Sequence, residues 1–278
     1  MPRPFRQVDV FTSERYRGNA LAVVHDAAGI DDEGMRRVAR WTNLSETTFL
    51  LPPTRPEADY RVRIFTPVAE LSFAGHPTLG SCHAWLEAGG VPRSPDVVIQ
   101  ECAAGLIRVR RDPAGVALAF AEPPLVRSGP VDDATLDHIA GLLGLPRPAF
   151  VDAQWVDNGP GWVAVLLSSA AEVLAIEPGA VDLDLGVVGP HPPGSDPAFE
   201  VRAFFPVNGA TVEDPVTGSL NASLAGWLIR TGRARPPWTA AQGTTLGRAG
   251  RVRITQDADG TVWTGGASIT CIRGEIDI

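Results

Sequence analysis

Lysine is absent from this chain of 278 residues, and all 24 basic residues are arginine. Schiff-base chemistry with pyridoxal phosphate or a carbonyl substrate needs a lysine amine, and so does the P-loop that binds nucleoside triphosphates. No GxGxxG motif follows a predicted strand, so a dinucleotide cofactor has no support either. We therefore expect no cofactor, and we expect any chemistry to come from carboxylates, imidazoles, hydroxyls and the backbone.

Cysteine and clustered histidine are also scarce. The three cysteines, Cys82, Cys102 and Cys271, show no paired spacing, which argues against a disulfide framework and against a cysteine zinc site. The five histidines form no HExxH motif, and the closest pair, His76 and His83, would lie two turns apart on a helix. We predict no metal and reduced, mostly buried thiols.

Long apolar runs and clusters of cations are missing as well. No run has the length needed to cross a bilayer, and the first residues contain arginines and prolines where a secretory signal would be apolar. A net charge of −8 without a basic stripe argues against nucleic-acid binding. We expect a cytoplasmic protein that binds neither nucleic acid nor membrane. At ~150 residues per domain, the length predicts two domains.

The chain contains an internal repeat, which is informative about its architecture. The segment VRIFTP, Val62 to Pro67, matches VRAFFP, Val201 to Pro206, at an offset of 139 residues. The segment HPTLGSCHAWL, His76 to Leu86, then aligns with DPVTGSLNASL, Asp214 to Leu224, at an offset of 138. Two matches in the same order predict two copies of one strand-loop-helix unit.

The helices predicted in this repeat carry almost no charge. None is present from Pro215 to Ile229, and only His83 can be charged from Pro77 to Leu86. Helices that are apolar all round are buried on every side. Short β-rich runs surround them, beginning at Val8, Leu21, Thr47, Asp59, Asp96, Leu106, Val116, Val163, Phe199, Arg251 and Thr261. We predict an α+β fold in which a curved, mostly antiparallel sheet wraps around a central buried helix, twice.

The boundary between the halves is predicted near the proline-rich stretch from Ala121 to Pro130, the best candidate for a crossover. The domains would then be residues 1–122, joined by a C-terminal strand at 265–278, and residues 123–264. A further helix is predicted from Asp31 to Trp41, capped by Asp31 or Asp32.

A polar residue and a proline open each repeated helix, as His76-Pro77 and Asp214-Pro215. Proline suits the first helical position, where its missing N–H has no helical partner. The residues around Gly80-Ser81 and Gly218-Ser219 would then offer free backbone N–H groups at a positive dipole end, suited to a carboxylate. The alternative is that these glycines only allow close packing of helix on sheet.

Glu46 lies where the loop NLSE enters an apolar β run, TTFLL. A carboxyl group beside Phe49, Leu50 and Leu51 is expected to be partly desolvated, which raises its pKa toward the range useful for proton transfer. The alternative is a solvated glutamate at a strand edge.

Taken together, these segments resemble the PhzF family, the phenazine-biosynthesis isomerase-like proteins. The matching motifs are VDVFT with Gly18-Asn19, NLSETTF, the segment from Glu70 to Gly80, and EDPVTGS from Glu213 to Ser219. The resemblance spans nearly the whole chain, and the motifs are specific as a set.

The resemblance implies a fold, an activity and a set of site residues. The fold would be two pseudo-symmetric diaminopimelate epimerase-like domains with the active site between them. In the family's namesake enzyme, a dihydro-hydroxyanthranilate is isomerised, without a cofactor, by moving a proton from one ring carbon to another. A small carboxylate-bearing substrate and a homodimer are implied here. The catalytic residues would be Glu46, as general acid/base, with Asp214 and His76, and the substrate-binding residues would be Asn19, Ser45, Gly75, Pro77, Gly218 and Ser219.

Two other functions stay open at this point. One is a racemase or epimerase acting at an amino-acid α-carbon, with Glu46 opposed by Asp214 or His76. A thiol racemase is disfavoured, because the epimerase relatives carry one cysteine in each half where this chain has Ala74, Gly75 and His76, and Asp214. The other is a small-molecule binding protein without catalysis.

Overall fold

The computed structural model describes residues 1–112 and 117–278, so Val116, the predicted start of one strand, lies outside the described residues. The chain forms two compact units. The first unit contains residues 1–121 and 265–278, and the second contains residues 122–264. Within the described part of the chain, no helix combines the length and apolar character needed to cross a membrane.

Five α-helices and seventeen strands lie in the described residues. The helices are α1 (Asp32–Thr42), α2 (Gly75–Glu87), α3 (Asp133–Leu143), α4 (Ala170–Leu174) and α5 (Gly218–Arg230). The strands are β1 (Pro2–Val10), β2 (Asn19–Val24), β3 (Glu46–Leu51), β4 (Tyr60–Phe65), β5 (Glu70–Leu71), β6 (Val97–Cys102), β7 (Gly105–Arg111), β8 (Ala117–Ala121), β9 (Arg127–Pro130), β10 (Asp152–Asp157), β11 (Val163–Leu166), β12 (Leu185–Pro190), β13 (Phe199–Val207), β14 (Ala210–Glu213), β15 (Trp238–Gln242), β16 (Gly250–Gln256) and β17 (Val262–Asp277).

The first unit is mostly antiparallel. Strand β1 pairs antiparallel with β2 and β17, β3 with β4, and β7 with β6 and β8. Parallel pairs join β2 to β3 and β4 to β6. Helix α2 packs against β1, β2, β3, β6, β7 and β8, and nine of its thirteen residues are buried. Its lack of charge follows from this burial, since an unpaired charge there would be costly.

Helix α2 approaches the strands closely at Gly80. A Cβ at this position would lie 2.6 Å from Leu21 Cδ2 and 2.9 Å from Val10 Cγ2, closer than carbon atoms pack. The next residue, Ser81, is fully buried, and its Oγ donates a hydrogen bond to Thr48 Oγ1 on β3 at 2.9 Å. Both residues therefore hold α2 against the sheet.

The second unit has the same kind of mixed pairing. Antiparallel pairs join β9 to β10, β10 to β11, β12 to β13, β13 to β14 and β15 to β16, and parallel pairs join β11 to β12 and β13 to β15. Helix α5 is buried at ten of its thirteen residues, including Trp227, which is 0% exposed. At Gly186 the strand β12 lies so close that a Cβ would be 2.5 Å from Leu220 Cδ1 of α5.

The observed first residues of α2 and α5 contradict the predicted positions of the two prolines. Proline was expected at the first helical position in both repeats, but Pro77 is the third residue of α2 and Pro215 lies three residues before α5. Proline is compatible with the first turn of α2, because the N–H groups there have no partner within the helix.

The offset predicted between the two repeated helices is also wrong. Helices α2 and α5 begin at Gly75 and Gly218, which are 143 positions apart, whereas the matched letters gave 138. Gly80 and Ser81 therefore lie well inside α2 and do not offer first-turn N–H groups. The two Gly-Ser pairs have different structural roles. Gly80 and Ser81 allow α2 to pack closely on the sheet, whereas Gly218 and Ser219 begin α5.

Some of the other elements were predicted from the sequence, and others were not. Helix α1 is capped by Asp31, whose Oδ1 accepts from Gly34 N at 2.7 Å, as predicted. The proposed crossover from Ala121 to Pro130 is only partly irregular, because its last four residues form β9 and pair with β10. Sequence reasoning did not find β5, β9, β10, β12, β14, β15, α3 or α4.

Candidate active site

In the first unit, three of the predicted residues come together at the start of α2. Glu46 is the first residue of β3 and His76 the second of α2, and His76 Nε2 lies 3.2 Å from Glu46 Oε2. On the other side of the ring, Asn19 Nδ2 donates to His76 Nδ1 at 3.5 Å. The side chains of His76 and Glu46 are only 6% and 14% exposed. Glu46 is therefore a mostly buried carboxyl group, and not a solvated residue at a strand edge.

The protonation of His76 follows from these contacts. Burial lowers the pKa of its imidazole from 6.5 to about 3, so the ring is neutral near pH 7. Because an amide nitrogen only donates, Nδ1 acts as the acceptor toward Asn19, and the ring proton resides on Nε2. His76 is therefore a neutral imidazole whose Nε2 lies close to the Glu46 carboxyl group, and the contact is neither an ion pair nor an aligned hydrogen bond.

Asn19 is placed by the loop between β1 and β2. The carboxylate of Asp9, 2% exposed, accepts from Arg17 N at 2.8 Å and from Gly18 N at 3.1 Å. A Cβ at Gly18 would lie 2.2 Å from Val10 O, so no larger residue fits there. The pattern VDVFT followed by Gly-Asn thus encodes a fixed turn that presents the Asn19 amide.

The first turn of α2 holds the remaining predicted residues of this unit. The cap residue is Ala74, which has no side-chain acceptor for the N–H groups of Gly75 and His76. Pro77 is buried in the same turn. Ser45 is exposed and immediately precedes Glu46. The turn therefore combines a positive dipole end with the Glu46 and His76 side chains.

In the second unit, Asp214 is held by a chain of hydrogen bonds. Thr217 Oγ1 donates to Asp214 Oδ2 at 2.6 Å and accepts from Gln242 Nε2 at 2.9 Å. Gln242, on β15, is fully buried, donates to Asp214 O at 3.1 Å and accepts from Thr217 N at 3.0 Å. Its Oε1 also accepts from Asn221 Nδ2 at 2.8 Å. This network fixes the loop that leads into α5.

Gly218 and Ser219 are the first two residues of α5, three residues later than the start predicted at Pro215, and their N–H groups lie in the first turn. The Thr217 hydroxyl before them does not cap the helix. Ser219 Oγ accepts from Trp162 Nε1 at 3.0 Å, and Ser219 O accepts from Asn158 Nδ2 at 3.0 Å. The predicted residues of the second unit are thus grouped at one helix start.

The sequence analysis missed several residues that support these groups. Thr217 carries a usable signal, because a threonine three positions after Asp214 suits a local side-chain hydrogen bond. Gln242 and Trp162 carry no such signal, since they are far from α5 in sequence. The predicted thiols agree with the structure, because all three cysteines are free and Cys82 and Cys102 are buried. Among residues 1–112 and 117–278, no three His, Cys, Asp or Glu side chains are grouped as metal ligands.

Comparisons with known proteins place this architecture in a family. Residues 8–274 match the family model PhzC-PhzF, described as "Phenazine biosynthesis-like protein". The chain is 36% identical to "Antisense-enhancing sequence 1" of Schizosaccharomyces pombe, covering 98% of this chain and 97% of that protein. It is 35% identical to "Trans-2,3-dihydro-3-hydroxyanthranilate isomerase" of Pseudomonas aeruginosa, covering 91% and 90%.

Solved structures show the same fold. A Bacillus anthracis phenazine biosynthesis protein of the PhzF family superposes with a TM-score of 0.83 at 21% identity, covering all of both chains. A hydroxyproline epimerase from Agrobacterium vitis superposes with a TM-score of 0.57 at 14% identity, covering 99% of this chain and 92% of that one. The mixed α/β fold is therefore of the epimerase-like type. This chain belongs to the PhzC-PhzF family of phenazine biosynthesis-like proteins and is an enzyme of the isomerase class.

Proposed function

We propose that the protein is a cofactor-independent isomerase that moves a proton between carbons of a small cyclic carboxylic acid with amino or hydroxy substituents. Trans-2,3-dihydro-3-hydroxyanthranilate, named for the Pseudomonas aeruginosa relative, is the model substrate. The observation that carries the proposal is the mostly buried carboxyl group of Glu46 in contact with a neutral imidazole.

Glu46 supplies the acid/base. Its carboxylate removes a proton from an sp³ ring carbon, and the electron pair left on that carbon shifts into the adjacent unsaturated system. The Glu46 carboxylic acid then returns a proton to a different carbon of the same system. No electron acceptor is needed, because the substrate and the product have the same composition. A positioned acid/base contributes roughly 10²–10⁴-fold to such a step.

His76 supports Glu46 through both charge states. A small rotation of the ring would align the neutral Nε2–H with Glu46 Oε2, 3.2 Å away, as a donor that stabilises the carboxylate form before proton removal. A protonated His76 would pair with the Glu46 carboxylate, make it a weaker base and add a charge in a buried place, which its lowered pKa prevents. Asn19 maintains the tautomer that makes this donor available.

Each unit, taken by itself, offers candidate partners for polar groups of a substrate. First-turn N–H groups at Gly75 and at Gly218 and Ser219 suit a carboxylate, because they lie at positive helix ends. The Asp214 carboxylate, held by Thr217, suits an amino or hydroxyl substituent. These groups are candidates for binding the substrate carboxylate and its polar substituents.

The test is NMR of trans-2,3-dihydro-3-hydroxyanthranilate in D₂O with wild type, Glu46→Gln and Glu33→Gln. Glu33 lies on α1 with a side chain that is 59% exposed, so its substitution is a matched control for loss of a surface carboxylate. We expect wild type and Glu33→Gln to isomerise the substrate. Glu46→Gln should be slower by roughly 10²-fold or more, since it keeps the shape but not the base.

Each other outcome contradicts a stated part of the proposal. Equal rates for Glu46→Gln and wild type would refute the role of Glu46. No reaction with wild type would refute the model substrate. Deuterium at the original carbon with inversion of configuration would replace the isomerase by an epimerase, whereas deuterium at a new carbon without inversion supports the isomerase. Ligand binding without any exchange, unchanged by Glu46→Gln, would indicate a binding protein.

A further inference from the structure

The loop from Asp157 to Trp162 packs against the first turn of α5 inside the second unit. Trp162 is 4% exposed, and its Nε1 lies 3.0 Å from Ser219 Oγ. Asn158 Nδ2 lies 3.0 Å from Ser219 O. One residue of the candidate site is therefore held by two side chains of a single loop, through its hydroxyl and through its backbone.

The bond from Trp162 sets the direction of the Ser219 hydroxyl. An indole N–H is only a donor, so Ser219 Oγ must accept from it. A serine hydroxyl that lacks such a partner rotates freely between donor and acceptor roles. Because Trp162 occupies one of the two lone pairs of Ser219 Oγ, the Ser219 proton points away from the indole and is available to an acceptor atom.

The loop itself is held in place. Asp157 Oδ1 accepts from Gly159 N and from Gly161 N, each at 2.7 Å, and Val156 N donates to Trp162 O at 3.0 Å. Gly159 and Gly161 have φ values of +138° and +109°, a conformation that side chains rarely adopt. The segment Asp-Asn-Gly-Pro-Gly-Trp is thus a short rigid support for the indole.

We propose that Trp162 is a positioning residue that makes the Ser219 hydroxyl a fixed donor to an oxygen acceptor of the substrate, its carboxylate. The inference rests on the proposed function, in which Ser219 contacts the substrate. The proposal also predicts which substrate group binds at Ser219, because a fixed donor favours a carboxylate oxygen over an ammonium or N–H group at the same place.

The test is a double-mutant cycle in binding. Dissociation constants for anthranilate, an aromatic amino carboxylate that cannot isomerise, are measured for wild type, Trp162→Phe, Ser219→Ala and the double variant. Trp162→Phe keeps an aromatic ring, smaller than the indole, and removes the N–H, so we expect a loss of affinity of about threefold to tenfold. In the Ser219→Ala background, the same substitution should have no further effect.

Trp263→Phe is the matched control. Trp263 belongs to the same unit, is 3% exposed and donates its indole N–H to Asp257 Oδ2 at 2.8 Å. Its substitution also removes a buried indole hydrogen bond, but away from Ser219. We expect it to leave anthranilate binding unchanged, so a general loss of stability is separated from loss of positioning.

Three results would overturn the proposal. The first is an equal loss from Trp162→Phe in both backgrounds, the mark of a purely structural role. The second is no change of affinity from either single substitution. The third, which needs no ligand, is an indole N–H resonance of Trp162 that is unmoved by Ser219→Ala, since that would show that the bond is not formed. Failure of the isomerase proposal is separate, because it appears as absence of turnover in the D₂O experiment.

Discussion

Replacing His76 with asparagine should remove about 2 kcal/mol of the pH dependence of stability between pH 7 and pH 5. The imidazole has a pKa of about 3 in the folded protein because it is buried, against its usual value of 6.5. The unfolded chain therefore binds a proton below pH 6.5 that the folded protein does not bind. Stability from this group is complete above pH 6.5 and is lost as the pH falls from there toward 3.

The magnitude follows from the two pKa values. At pH 5 the unfolded imidazole is almost fully protonated and the folded one almost fully neutral, which costs about 2 kcal/mol, while at pH 7 the cost is only about 0.2 kcal/mol. The measurement is the free energy of unfolding in urea at both pH values for wild type, His76→Asn and His138→Asn. His138 lies on α3 with a side chain that is 47% exposed, and its substitution is the control for loss of a surface histidine.

The reasoning would be refuted if wild type and His76→Asn lost the same stability between pH 7 and pH 5. That result would mean that the Glu46 carboxylate raises the imidazole pKa enough to offset burial, and that the contact is an ion pair. A direct check is the proton NMR titration of the His76 ring in the folded protein. We expect its resonances to be constant from pH 8 down to pH 5.

Three other predictions concern packing, a carboxyl group and the site. Gly80→Ala should destabilise the protein by about 1–3 kcal/mol through overpacking, whereas Gly141→Ala, at an exposed position of α3 with open space around it, should stabilise by about 0.5–1 kcal/mol, both read from urea unfolding. Burial raises the pKa of Glu122 to about 7, so its contribution to stability is lost as the pH rises from 4.5. Glu122→Gln should therefore be more stable than wild type by on the order of 2–3 kcal/mol at pH 8 and nearly equal at pH 4, and equal gains at both pH values would contradict this. Thr217→Val should lower kcat/KM about 10-fold or more by removing the hydrogen bond to Asp214, while Thr217→Ser should retain activity, and equal loss in both would argue against the hydroxyl.

Much of the local structure was predictable from the sequence, because its causes are local. Helix α1 begins where its capping residue indicated, since Asp31 supplies the acceptor that the first turn lacks. The β-rich runs became strands because they are β-branched and apolar. Glu46 and His76 were identified by their motifs, and the structure places their side chains 3.2 Å apart.

The tertiary structure decided the start of each buried helix and the partners of each site residue. Letter matching paired Gly80 with Gly218, but Gly218 begins α5, whereas Gly80 is the sixth residue of α2 and lies where that helix closely approaches Leu21. The position at which a buried helix begins depends on packing between distant segments of the chain. It therefore has no local pattern in the sequence.

The same holds for the chemistry of the site. That a glutamate and a histidine are present is a property of the sequence alone. That His76 is neutral depends on its burial, and that Asp214 and Ser219 are oriented depends on Gln242 and Trp162, which come from other parts of the chain. Desolvation and hydrogen-bond direction exist only once the chain has folded, so they were decided by the tertiary structure and not by any motif.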